Sequence, residues 1–143
     1  MKRLVPVIAM AVVLFGGCAN LEAQKRMDAF DERLNAYRIL MRWGRYEDAL
    51  HYILFRPGQG KPKPVDLEPL KQIRLASYQL VEKIIAVNET AADVTVVMTY
   101  YHEESNVLHT LRQVQQWWFN EERKQWYIAN DFPDFIGNLN KNR

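Results

Sequence analysis

Cysteine is almost missing from this chain: Cys18 is the only one in 143 residues. No disulfide can close within it, which excludes a small fold held together by such bridges. An excess of one charge is missing as well, since 19 basic residues less Lys2 and Arg3, which precede the first apolar run, leaves 17 against 17 acidic ones. A near-neutral body lacks the electrostatic footprint of a nucleic-acid binder, and it offers no polybasic attraction to anionic lipid. Nor is there a long hydrophobic run. Leu4 to Phe15 is apolar apart from Pro6, about twelve residues where a membrane-spanning helix takes roughly twenty. The Gly-x-Ser-x-Gly elbow, the P-loop and the dinucleotide fingerprint are all absent, so nucleophilic and nucleotide chemistry have no sequence support.

What is present suits one folded domain. The 48% hydrophobic and 25% charged fractions are those of a globular chain, and four Trp, seven Tyr and six Phe supply large surfaces for a core or a pocket. The amino terminus stands apart: Lys2 and Arg3, then the apolar stretch, then Gly16 and Gly17, follow the plan of an export signal over residues 1–17. Its boundary, Leu14-Phe15-Gly16-Gly17-Cys18, resembles the bacterial lipobox, with Phe15 where that family usually has Leu. The resemblance implies that the Cys18 thiol receives a diacylglyceryl group, that the signal is cut just before it, and that the new amino group is acylated. Ala19 stands where an Asp would resemble an inner-membrane retention signal, so the resemblance implies an outer-membrane anchor facing the periplasm. Residues 18–23 are then expected to be a lipidated tether, 24–135 the domain, and 136–143 a polar tail.

Within the domain, Met27, Phe30, Leu34, Tyr37 and Met41 recur in steps of three and four, which predicts one amphipathic helix from Leu21 to about Arg42. Gly44 suits a left-handed cap, and Tyr46, Ala49, Leu50 and Ile53 mark a second, shorter helix. Arg56 to Pro69 is rich in Pro and Gly and reads as a connection, with a turn near Asp66; its Arg56, Lys61 and Lys63 are expected in solvent. Four strands follow, at Ile73–Val87, 93–103, 107–119 and 125–130, the first long enough to bend or bulge. Short polar links make them an antiparallel meander. In the second strand Val94, Val96, Met98 and Tyr100 form the face expected in the core, with Asp93, Thr95, Val97, Thr99 and Tyr101 on the other. Asn88-Glu89-Thr90, although a glycosylation sequon, reads as a turn in a bacterial chain.

A helical hairpin with an apolar stripe and a sheet with one apolar face must cover each other, so the expected fold class is α+β: an N-terminal helical hairpin packed on a curved four-stranded antiparallel sheet. Leu34-Asn35-Ala36-Tyr37, Trp43 to Leu50, and the late hairpin from Trp117-Trp118-Phe119 to Gln125-Trp126-Tyr127-Ile128 resemble the nuclear transport factor two-like, or ketosteroid isomerase-like, cone. The helical pair also looks like half of a tetratricopeptide repeat, but no second copy follows and strands do.

A cone can hold a ligand among aromatic side chains, and Tyr78, Met98, Tyr100, His102, Leu111, Trp117 and Trp126 are the expected lining if it is open. Trp118 and Tyr127 belong to the same aromatic set, and plain core packing with a cross-strand Trp pair is the competing explanation. Enzymes of the resembled family keep an acid or base inside; Glu82, interrupting an apolar strand, is the one carboxylate to watch for that role. A turn centred on Ser105 and Asn106 would set His102 opposite His109, but two imidazoles alone fall short of a zinc site, and His51 reads as a surface or packing residue. No catalytic residue is assigned, and no metal, cofactor or nucleic acid is expected. The reading that follows is a lipid-anchored envelope domain binding a partner protein or a small apolar ligand. The alternatives are an isomerase- or dehydratase-like enzyme using Glu82, and a structural envelope component, dimeric through its exposed sheet face.

Overall fold

The computed structural model describes residues 16–141, so the expected signal at residues 1–17 lies almost wholly outside the described residues. Helix α1 (Gly16–Arg42) turns Phe30, Leu34, Tyr37 and Met41 inward, the stripe that its three-and-four spacing predicts. It runs unbroken through residues 18–23, where a tether was expected, and Cys18 is exposed on it. Its other end is closed by Gly44 at φ 69°: the Gly44 amide donates to the Met41 carbonyl at 3.2 Å and the Arg45 amide to that of Leu40 at 2.9 Å. This paired capping satisfies carbonyls that the last turn leaves open, and only a residue tolerant of positive φ supplies it without strain.

The one-turn helix α2 (Tyr46–Leu50) buries Tyr46 and Ala49, completing the hairpin. The Pro-rich connection then leads to α3 (Leu67–Leu70), whose cap is the Asp66 carboxylate accepting from the Glu68 amide at 3.1 Å. Four antiparallel strands follow in the order of the chain: β1 (Ile73–Ile85), β2 (Ala91–His102), β3 (His109–Asn120) and β4 (Gln125–Ile128). The architecture is α+β, and the sheet is open, with β1 and β4 at its edges.

Register decides which side chains face α1. Val94, Val96, Met98 and Tyr100 of β2 lie inward and buried, as their alternation predicts. Opposite them on β3 stand Gln115, Gln113, Leu111 and His109. On β1 the register shifts twice, between Leu75 and Ser77 and between Leu80 and Glu82. Each bulge reverses the alternation, so the inward set is Ile73 and Leu75, then Tyr78 and Leu80, then Lys83 and Ile85. The outer half of this edge strand is exposed, and the Lys83 ammonium lies 3.0 Å from Asp31 and 5.9 Å from the centre of the Phe30 ring. An inward lysine and two bulges are devices that discourage a further strand from adding to an edge.

Two expectations need correction here. His102 does not face His109: the link between β2 and β3 runs from Glu103 to Leu108, so His109 pairs with Tyr100 and His102 with Ile73. The Ser105 and Asn106 amides both donate to the His102 carbonyl at 3.0 Å, which holds this wider loop and leaves Val107 and Leu108 exposed. Likewise, of the expected polar tail at residues 136–143, the described part, 136–141, is helical: α4 (Phe135–Lys141) folds back on the sheet. Phe135 is fully buried, and its carbonyl accepts from the Tyr100 hydroxyl at 3.0 Å.

Candidate functional site

The inner face of the sheet is occupied by side chains. Phe30 lies 4.6 Å from the Trp126 ring and 5.7 Å from that of Trp117, and Tyr37 meets Trp117 edge-on at 6.0 Å. Trp117 and Trp126 are both fully buried. The Trp126 indole donates to the Arg26 carbonyl at 2.9 Å, joining the last strand to the first helix.

A short polar chain runs through this interior. Gln115 Nε2 donates to Tyr78 Oη at 2.8 Å, and Gln115 Oε1 accepts from Trp117 Nε1 at 3.1 Å. Among the described residues, the buried ones outside the apolar and aromatic set are Gln115 and Thr95. Sequence reasoning missed Gln115 because glutamine is usually outside. Its place opposite Val94 is the signal that could have found it, since side chains directly paired in a ladder share a face.

Of the expected pocket residues, Tyr78, Met98, Tyr100, Trp117 and Trp126 are buried together, whereas His102 and Leu111 are half-buried toward the end of the sheet. Tyr100 is a link between elements, its ring 5.7 Å from His109 and its hydroxyl accepting from Asn138 Nδ2 at 2.7 Å. Trp118 and Tyr127 pair on the opposite face, their rings 6.4 Å apart, and the Trp118 indole donates to the Leu54 carbonyl at 2.7 Å. Glu82 does not point inward. The bulge at Val81 reverses its side, placing it exposed and opposite Thr95, with Lys83 turned inward next to it. The internal acid expected of an enzyme is therefore not supplied by Glu82. His51 is exposed, and among the described residues no three His, Cys, Asp or Glu side chains gather where they could hold a metal ion.

The buried titratable groups in this region are tyrosines. Burial raises Tyr37 well above the usual phenol range, with neighbouring Tyr78 adding to the shift. Tyr78 is raised by burial too, partly offset by the Gln115 hydrogen bond and the Arg38 charge. Tyr46 is pushed up to about 12 by burial against an opposing effect of Arg74, and Tyr100 is also raised, chiefly by burial. A phenol whose folded pKa exceeds its unfolded one stabilises the fold at every pH below the unfolded value and loses that contribution as pH climbs toward the folded value. The domain is therefore expected to weaken above pH ~10, the ordinary phenol pKa. In an absorbance titration at 295 nm, the late phenols should ionise together with the loss of circular dichroism, and full ionisation of a still-folded chain would contradict this.

An open groove lies elsewhere, where the Pro-rich connection meets the carboxyl-terminal segment. It has a volume near 490 Å³, and its lining includes Val65, Pro69, Leu70, Phe132, Phe135 and Ile136. Asp131 fixes one wall, one oxygen accepting from the Lys63 amide at 2.9 Å and the other lying 3.8 Å from the Lys63 ammonium. That volume falls within the range of about 300–1,000 Å³ typical of small-molecule sites. Sequence reading placed Val65 and Pro69 in a connection, Phe132 and Phe135 at the end of the domain and Ile136 in a tail, and so did not see that they meet.

No protein-family profile matches the sequence, and no curated protein matches it. Among solved structures, the chain is similar to a crystal structure of a Novosphingobium aromaticivorans protein provisionally named a scytalone dehydratase, at 15% identity and a TM-score of 0.46, over 78% of this chain and 85% of that one. The α+β architecture is read from this chain's own register and packing, and no functional residue is carried across from that protein.

Proposed function

We propose that this chain is a lipid-anchored protein of the bacterial cell envelope whose domain binds a small apolar ligand or an apolar segment of a partner protein and carries out no chemistry on it. The observation that supports binding over turnover is the lining of the groove between the Pro-rich connection and α4: it is mostly apolar, and its carboxylates, Asp66, Asp131 and Asp134, are each already held by a backbone amide, of Glu68, Lys63 and Gly137. The groove between the Pro-rich connection and α4 is the place for the ligand. Its apolar walls supply the affinity, roughly 25 cal/mol for each Å² of apolar surface removed from water.

The anchor rests on the lipobox-like boundary and on an exposed, solitary Cys18. Each buried CH2 of an acyl chain contributes about 0.8 kcal/mol, so two or more chains hold a protein at a bilayer where one would not. Cys18→Ser is expected to abolish incorporation of labelled palmitate, keep the longer precursor and release the domain from the detergent phase. Unchanged mass and partitioning would refute the anchor. The binding half is tested separately with the neutral fluorophore N-phenyl-1-naphthylamine: the full chain should enhance its emission saturably, and Val65→Asp should remove the enhancement while circular dichroism still shows a folded chain. No enhancement, or one indifferent to Val65→Asp, would refute the groove as the site.

A further inference from the structure

The outer face of α1 carries its charges in an order that a solitary helix does not favour. Asp28 and Glu32 stand four residues apart, Asn35 follows, and then Arg38 and Arg42 stand four apart, all of them exposed. Like charges at that spacing repel on one helix, whereas alternating signs would attract. Among the described residues neither of these carboxylates nor either guanidinium enters an ion pair. Arg38 instead folds onto Asn35 Oδ1 at 2.8 Å, and Arg42 donates to the Leu75 carbonyl. On the same exposed side Ile39 is 43% accessible and Trp43 79%.

We infer that α1 packs antiparallel against α1 of a second copy of this chain, about a two-fold axis passing beside Asn35. In that arrangement Asp28 faces the second copy's Arg42 and Glu32 faces the second copy's Arg38, and symmetry repeats both pairs. A parallel pairing would set Asp28 against Asp28 and Arg42 against Arg42, so the charge order selects the antiparallel one. A two-fold contact of this kind uses one patch twice and needs no second surface. Lys25 falls opposite the second copy's Arg45, whose charge is already offset by Asp48 at 2.7 Å. Ile39 of each copy is covered near the axis, and Trp43 flanks the contact. A lipid surface fits this face less well, because Asp28 and Glu32 would meet anionic headgroups. One polar helix face is small for a stable dimer, so the association is weak and loosens as salt rises.

The test uses the full-length chain carrying Cys18→Ser, which makes an introduced cysteine the sole thiol and separates the outcome from whether the chain is lipidated. Asn35→Cys is expected to form a disulfide-linked dimer under mild oxidation, because residue 35 meets its own copy at the axis. Glu22→Cys, which the same pairing separates from its copy by about 39 Å at 1.5 Å per residue, is expected to stay monomeric. Glu32→Arg and Arg38→Glu should each weaken the dimer in sedimentation by about tenfold, and the two together should restore it, since the double variant regains the opposite-charge pairs. A monomer at all concentrations, equal cross-linking at residues 22 and 35, or failure of the double variant to recover would each overturn the inference. Positions 22, 32, 35 and 38 are all exposed, and unchanged near-ultraviolet circular dichroism confirms that the variants compared are folded.

Discussion

Ending the chain after Asp134 is expected to destabilise the domain by about 5–7 kcal/mol, enough to unfold much of it at 37 °C given total stabilities of roughly 5–15 kcal/mol. The main loss is Phe135, which is fully buried with its ring 4.8 Å from Tyr100 and 6.1 Å from Tyr46. Removing a buried Phe side chain costs about 3–5 kcal/mol. The Tyr100 hydroxyl would also lose its acceptor at the Phe135 carbonyl and its donor at Asn138, each such bond contributing about 1 kcal/mol net. Urea unfolding followed by circular dichroism measures the change. A truncated chain with an unchanged midpoint would mean that α4 is peripheral. Removing only Asn140 to Arg143 leaves Phe135 and Asn138 in place and should have little effect.

Trp117→Ala is the second large change, expected to cost about 3–5 kcal/mol for the lost volume, plus about 1–3 kcal/mol for a buried Gln115 oxygen deprived of its donor. Trp117 sits where α1 crosses the sheet, edge-on to Phe30 and Tyr37 and paired in the ladder with Ala92 and Ile128. Trp117→Phe separates the two contributions: the ring contacts are largely kept while the indole N–H is lost, so its penalty should lie near the lower figure. Denaturant midpoints of the three proteins decide the matter. A cost for Trp117→Ala below about 1 kcal/mol would show a site loose enough to be an open pocket rather than packed core. That distinction matters for function, because a filled interior moves any ligand to the groove beside α4.

Local pattern was enough to read the helix and the second strand. The three-and-four recurrence from Met27 to Met41 can bury one stripe only as a helix, and Val94, Val96, Met98 and Tyr100 can share a face only as a strand. Gly44 was legible for a similar reason, since a positive φ just after a helix strongly favours glycine or asparagine. From these, short connections and the need to cover apolar faces lead to an antiparallel sheet beneath a helix.

Three features were decided by contacts distant in the chain. The two bulges in β1 are set by what each residue meets across the ladder, and the one at Val81 turned Glu82 outward and Lys83 inward. Period-two alternation carries no sign of where it will be interrupted. The position of His109 depended on whether Glu103 to Leu108 stayed out of the ladder, a choice made by the Ser105 and Asn106 amides bonding to His102. Phe135 looked like the end of a domain because the residues after it are mostly polar, and only the space between Tyr46, Tyr100 and Phe132 made it part of the core. The sequence by itself therefore determined the helix and the meander, which are local patterns of burial and residue type. Tertiary structure alone decided which polar groups lie inside and where the groove opens, because those depend on registers and closures between segments that local periodicity does not relate.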